Sequence, residues 1–169
     1  VSEYRYITWR WKVDYSTIEE QRVEQNGKLR LKYDDFPAKI GISILKKNSD
    51  TIREVAYVWS NTLPESLMFK TETTIIPIIW KLKWRRFVAE SGLENAGQWT
   101  LESRDLYEDY KKGYPGEEPG KIVRVYLMTD SDNTQSRASA SYTDIVFHRQ
   151  APEVKTADGF SRDEGSDEE

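Results

Sequence analysis

A two-sheet antiparallel β-sandwich with one or two short helices is the fold class predicted by this chain. Three observations carry the prediction. Several short segments alternate apolar and polar residues with a period of two; Gly, Pro, Asn and Asp clusters separate them; and helical spacing is confined to short stretches. The 169 residues suit one domain, and an apolar fraction of 37% is enough for a core.

Residues 4–13 alternate strictly, placing Ile7, Trp9, Trp11 and Val13 on one face and Thr8, Arg10 and Lys12 on the other. Residues 14–35 are charged and read as a long connection with a short helical turn around 17–25. Alternation returns at 38–45, with Ala38, Ile40, Ile42 and Ile44 inward, and at 53–59, with Val55, Tyr57 and Trp59 on one side. Over 73–90, Pro77 interrupts an apolar run and Trp80 and Trp84 share helical spacing, which predicts an irregular segment followed by a strand at 84–90. A strand is expected at 98–103, and Leu106, Tyr107 and Tyr110 then predict a short helix ending at Gly113 and Pro115. Strands at 122–129 and 138–147, joined by a polar turn, close the domain as a hairpin.

Composition excludes several chemistries. There is no cysteine, so thiol nucleophiles, disulfides and thiolate metal sites are absent. The one histidine, His148, rules out a His-rich metal site within one chain and reads as a surface residue. The last nineteen residues carry seven acidic side chains against Lys155 and Arg162, so the net charge of −4 belongs to the tail and the body is close to neutral. A neutral body argues against nucleic acid, and no run of about 18 apolar residues predicts a membrane span. We therefore expect a domain at 1–150 and a flexible acidic tail at 151–169. No export leader is visible, and a first residue of Val1 rather than Met suggests a processed or truncated product.

The ordered set Trp9-Arg10-Trp11-Lys12-Val13, Asp35-Phe36-Pro37-Ala38, Tyr57-Val58-Trp59-Ser60-Asn61, Gly97-Gln98-Trp99, Arg104-Asp105-Leu106, Met128-Thr129-Asp130-Ser131-Asp132-Asn133-Thr134 and Ala140-Ser141-Tyr142-Thr143-Asp144-Ile145 resembles the bacterial Domain of Unknown Function 3047 family over roughly residues 6–148. The resemblance implies a jelly-roll sandwich like the galactose-binding and carbohydrate-binding modules, export to the periplasm or outside the cell, and no established reaction. Family members have residues before the paired-Trp strand, so either the first strands are missing here or another chain supplies them, and an unfilled strand position would leave an exposed edge open to assembly.

Asp130, Asp132, Asn133 and Asp144 gather hard oxygen donors and are the candidate calcium ligands, against the alternative that they cap the turn by hydrogen bonds. The spacing is not that of an EF-hand, since Gln135 and Ser141 stand where Gly and Glu would. Trp59, Asn61, Trp80 and Trp84 are the candidates for a groove in which sugar rings stack, against burial as packing. Glu90 and Glu102 are the candidate acid and base, with ion pairs from Glu102 or Arg104 to Arg85 or Arg86 as the alternative. The leading expectation is a non-catalytic exported module that binds a glycan or a protein partner. The alternatives are a polysaccharide-acting enzyme of hydrolase or lyase type using Glu90 and Glu102, and a structural subunit of an extracellular assembly.

Overall fold

The period-two pattern of the first strand sets the architecture. In a computed structural model that describes residues 1, 3–20, 22–25, 28–31, 33–76 and 80–153, with backbone alone for 22–25, 28–31, 71–76 and 80–83, Ile7, Trp9, Trp11 and Val13 are all fully buried. The described strands are β1 (Tyr6–Ser16), β2 (Arg22–Gln25), β3 (Lys28–Leu31), β4 (Ala38–Lys46), β5 (Ile52–Ser60), β6 (Met68–Ile76), β7 (Trp80–Ser91), β8 (Thr100–Asp105), β9 (Pro119–Met128) and β10 (Ala138–His148). One helix, α1 (Leu106–Gly113), follows β8. Asp105 caps it by accepting a hydrogen bond from the Glu108 amide at 3.1 Å, and Lys111 and Lys112 oppose its dipole in the last turn.

Two sheets form the sandwich, a three-stranded one in the order β10-β1-β8 and a five-stranded one in the order β6-β7-β5-β4-β9. The expectation of an all-β sandwich holds, with one departure from an antiparallel arrangement. β5 and β7 pair in parallel, because the chain leaves β5 for the sheet edge as β6 and returns through β7 beside β5. A separate hairpin, β2 with β3, replaces the helical turn expected near 17–25. Its signal was in the sequence: Asn26-Gly27 between two short alternating runs.

The described part of the segment read as irregular is also strand. β6 continues to Ile76 and pairs antiparallel with β7, which begins at Trp80, while Pro77 lies outside the described residues. The closing hairpin is corrected too. β9 pairs with β4 and β10 pairs with β1, so residues 129–137 cross from one sheet to the other. Most of the acidic tail, 154–169, lies outside the described residues.

The inner faces meet through aromatic rings. Trp9 stacks on Tyr57 at a centroid distance of 4.9 Å and meets Trp11 edge-on at 5.3 Å, while Trp11 packs on Trp59 at 5.8 Å. These contacts set β1 over β5, with Ala38, Ile40, Ile42 and Ile44 of β4 and Leu106 and Tyr110 of α1 completing the core. A smaller apolar cluster, Phe36, Val58, Leu63 and Val88, lies on the other face of the five-stranded sheet. That second cluster over β5, and the Tyr126 ring across Gly41 of β4, explain why β4 and β5 are buried on both faces and not on alternate positions alone. Trp59→Ala removes a fully buried indole and its bond to the Gly92 carbonyl at 2.8 Å, so urea unfolding is expected to show a loss of about 3–5 kcal/mol.

Candidate functional site

β8 pairs with β1 so that Glu102 stands opposite Trp9, and β7 pairs with β5 so that Glu90 stands opposite Trp59. Since both tryptophans are inner-face residues, this pairing, with its register shift between Val58 and Trp59 on the β5–β7 ladder, turns the two carboxylates into the space between the sheets. Arg104, two positions along β8, lies over the rings of Tyr57 and Phe87 at 5.4 and 5.8 Å, which sets β8 above β7. The Trp11 indole donates to Glu102 Oε1 at 3.2 Å, and the Ser91 amide donates to Glu90 Oε1 at 3.2 Å.

Burial, and then the charge of Glu90, push the Glu102 carboxyl up to about 8. Glu90, only 6% exposed, is raised as well, first by burial and then by Glu65 and Glu94 against the opposing Ser91 and Asn95 hydrogen bonds. At neutral pH the pair therefore offers a protonated carboxyl as donor beside a second carboxyl. The alternative expectation of ion pairs to Arg85 or Arg86 is corrected: Arg104 binds Asp109 through two 3.0 Å hydrogen bonds, Arg85 donates to the Gly113 carbonyl at 2.7 Å, and Arg86 meets Asp34. Asp109 is already held by the Tyr57 hydroxyl at 2.9 Å, so it is the better partner for Arg104.

The outer face of the five-stranded sheet carries a second polar group. Phe69, Arg86, Ala56, Gly41 and Tyr126 form one row across the strands. A Cβ on Gly41 would lie 2.0 Å from the Tyr126 ring, so the missing side chain is what lets that ring lie across β4. Its hydroxyl then donates to Glu54 Oε1 at 2.6 Å. Burial raises the Glu54 carboxyl and lowers the neighbouring Lys39 ammonium.

The loop after β9 is anchored by a residue that the sequence reading missed. Asp35 Oδ2 accepts from the Thr134 amide and hydroxyl, both at 2.7 Å, and its Oδ1 accepts from the Asn133 side chain at 3.1 Å. Asp35, Asp130 and Asp132 bring carboxylate oxygens within 4.8 Å of one another. Asp144 is not among them: it is exposed on β10, 3.7 Å from Arg10, because β10 belongs to the other sheet. Asn133 turns its amide nitrogen, not its oxygen, to the cluster. The adjacent Asp34-Asp35 pair just before Phe36 was the available signal.

Among the described side chains, the expected aromatic groove does not assemble as one surface. Trp59 is core, and the Asn61 amide is used within the fold, donating to Ser16 Oγ at 2.9 Å and the Ile18 carbonyl at 2.8 Å. Trp84 is half-buried on the outer face, and the Trp80 side chain lies outside the described residues. The exposed tryptophan among the described side chains is Trp99, at 47%, with the Lys12 ammonium 5.6 Å from its ring. His148 is half-buried, 2.7 Å from the Thr8 hydroxyl, where a surface residue was expected.

A family model described as protein of unknown function (DUF3047) matches residues 1–146. The chain belongs to this family. The match spans the DUF3047 domain from β1 almost to the end of β10 and so contains both polar groups. No curated protein and no solved structure matches the chain.

Two predictions test the geometry of this DUF3047 domain. Because the folded Glu102 carboxyl titrates near 8 and an unfolded one near 4.5, the folded state holds more protons between those values, and stability falls as pH rises from about 4.5 to about 8. Melting temperatures at pH 5 and pH 8 are expected to differ in that sense, and Glu102→Gln to flatten the difference. Asp35→Ala leaves three donors without their acceptor and is expected to cost about 1–3 kcal/mol in denaturant unfolding.

Proposed function

We propose that this domain is a non-catalytic module that binds a neutral, hydroxyl-rich ligand, a glycan, along the margin where β7 and β8 face each other. The observation that carries the reading is the Glu90–Glu102 pair, in which burial and proximity keep one carboxyl protonated near neutral pH. A donor beside an acceptor matches sugar hydroxyls, which both give and receive hydrogen bonds. The exported setting implied by the family resemblance belongs to the same proposal. A protein partner is the other occupant in this class, supported by Val123, Val125 and Leu127 exposed along the edge strand β9.

The same pair supports a second reading, a polysaccharide-acting enzyme with Glu102 as acid and Glu90 as base or nucleophile. A glycan array read by intrinsic tryptophan fluorescence, followed by a reducing-end assay on each hit, separates the two. The binding module is expected to retain its glycan intact, with Glu102→Ala weakening binding by about tenfold or more. Release of reducing ends that Glu102→Gln abolishes while binding persists would replace the module with the enzyme. A blank array from folded protein would sink both.

A structural calcium is a separate proposal, placed at Asp35, Asp130 and Asp132, whose mutual repulsion a divalent cation would relieve. Calcium added after EDTA is expected to raise the melting temperature of the wild type and not of Asp130→Asn. An unchanged melting temperature in the wild type removes the ion and leaves the Asp35 hydrogen bonds as the whole account of the loop.

A further inference from the structure

Among the described side chains, the outer face of the five-stranded sheet holds buried hydrogen-bond donors that meet no acceptor. Arg86 is 1% exposed and Lys39 2%, and the two reach across β5 toward one carboxylate, Asp34. Arg86 Nη2 binds Asp34 Oδ2, but Arg86 Nε and Nη1 are buried with no hydrogen-bond partner, as are Trp84 Nε1 and Asp34 Oδ1. If Asp34 turned to fork across Arg86 Nε and Nη2, Oδ1 would be satisfied, yet the N–H groups of Nη1 and Trp84 would still lack acceptors. Lys39 is weakly served as well, with the Asp34 carbonyl at 3.4 Å, Met128 Sδ at 3.5 Å and the Asp34 carboxylate at 3.7 Å.

A buried guanidinium with open N–H groups is costly unless something supplies oxygen, and the nearby charges do not. Glu54 is spoken for by the Tyr126 hydroxyl and lies 3.8 Å from Arg124; Asp130 is turned to the loop that Asp35 anchors. Asp34 itself keeps about a third of its side chain, 32%, in contact with solvent, so it can leave the cations at little desolvation cost. The half-buried Trp84 ring covers the guanidinium from the other side at 5.0 Å.

We propose that Arg86 and Lys39 form a receptor for a small oxyanion, a carboxylate or phosphate group of a ligand, in which Asp34 is the resident carboxylate that the ligand displaces. The incoming oxygens take the Asp34 position and also reach the open N–H groups of Arg86 and Trp84. This site lies on the opposite face of the sheet from Glu90 and Glu102, and it stands whatever those residues bind. It predicts an unusual result, that removing an acidic residue next to two buried cations creates affinity and does not merely perturb the fold.

The test is calorimetric titration of inorganic phosphate and of acetate into the wild-type chain, Asp34→Ala, and Asp34→Ala combined with Arg86→Lys or with Arg86→Gln, with circular dichroism verifying each fold. Asp34→Ala is expected to bind one of the two anions at least about tenfold more tightly than wild type, and both Arg86 variants to lose that gain. Preference for phosphate or for acetate identifies the source of the oxyanion. Absence of saturable binding to folded Asp34→Ala overturns the proposal. So does binding that survives Arg86→Lys at equal affinity, which keeps the charge and fold while removing the planar donors and so decides the matter even if Arg86→Gln does not fold.

Discussion

The stacking of Trp9 and Trp11 of the three-stranded sheet on Tyr57 and Trp59 of the five-stranded sheet holds the domain in its arrangement. Large flat rings tolerate little sliding once they interlock, and these meet near 5–6 Å between centroids in stacked, tilted and edge-on geometries. Because β1 is the central strand of its sheet, its position over β5 also decides what lies beside it: β8 falls above β7 and β10 near β4. Every polar feature described above inherits its place from that contact.

The consequence is a division of polar chemistry by sheet face. Toward the inside, the narrower sheet ends at β8, and the inner-face positions beyond the aromatic core become carboxylates and Arg104 in place of more apolar residues. There the low dielectric raises Glu90 and Glu102 and binds Arg104 to Asp109. Toward the outside, the second apolar cluster and Tyr126 bury what would otherwise be a solvated face, and Lys39, Glu54 and Arg86 are desolvated as a result. A sheet covered on both faces by unequal layers thus places ionisable side chains in two separate low-dielectric settings.

Much of the frame was legible in the sequence because it depends on local alternation. The inward residues of β1, β4 and β5 follow from period two alone, and the N-terminal cap and spacing of α1 from four or five neighbouring residues. Glu90 and Glu102 were recognisable as candidates because acidic residues on strands are conspicuous, but their mutual approach depends on two ladders, β1 with β8 and β5 with β7. The calcium candidates fared differently. Asp144 would come near Asp130 in space only if the two strands formed a hairpin, and they belong to different sheets; Asp35, nearly a hundred residues away, takes the place beside Asp130.

The sequence by itself determined the strand-rich class, the apolar faces and the neutral folded body, since each depends on residue type and spacing. Tertiary structure alone decided which strands are neighbours, that one pair runs parallel, that β4 and β5 are covered on both sides, and which charges meet. The physical reason is range. Alternation is a property of adjacent residues, whereas a pKa shift, an orphaned guanidinium or a three-carboxylate cluster arises from groups tens of residues apart that only the packing of the two sheets brings together.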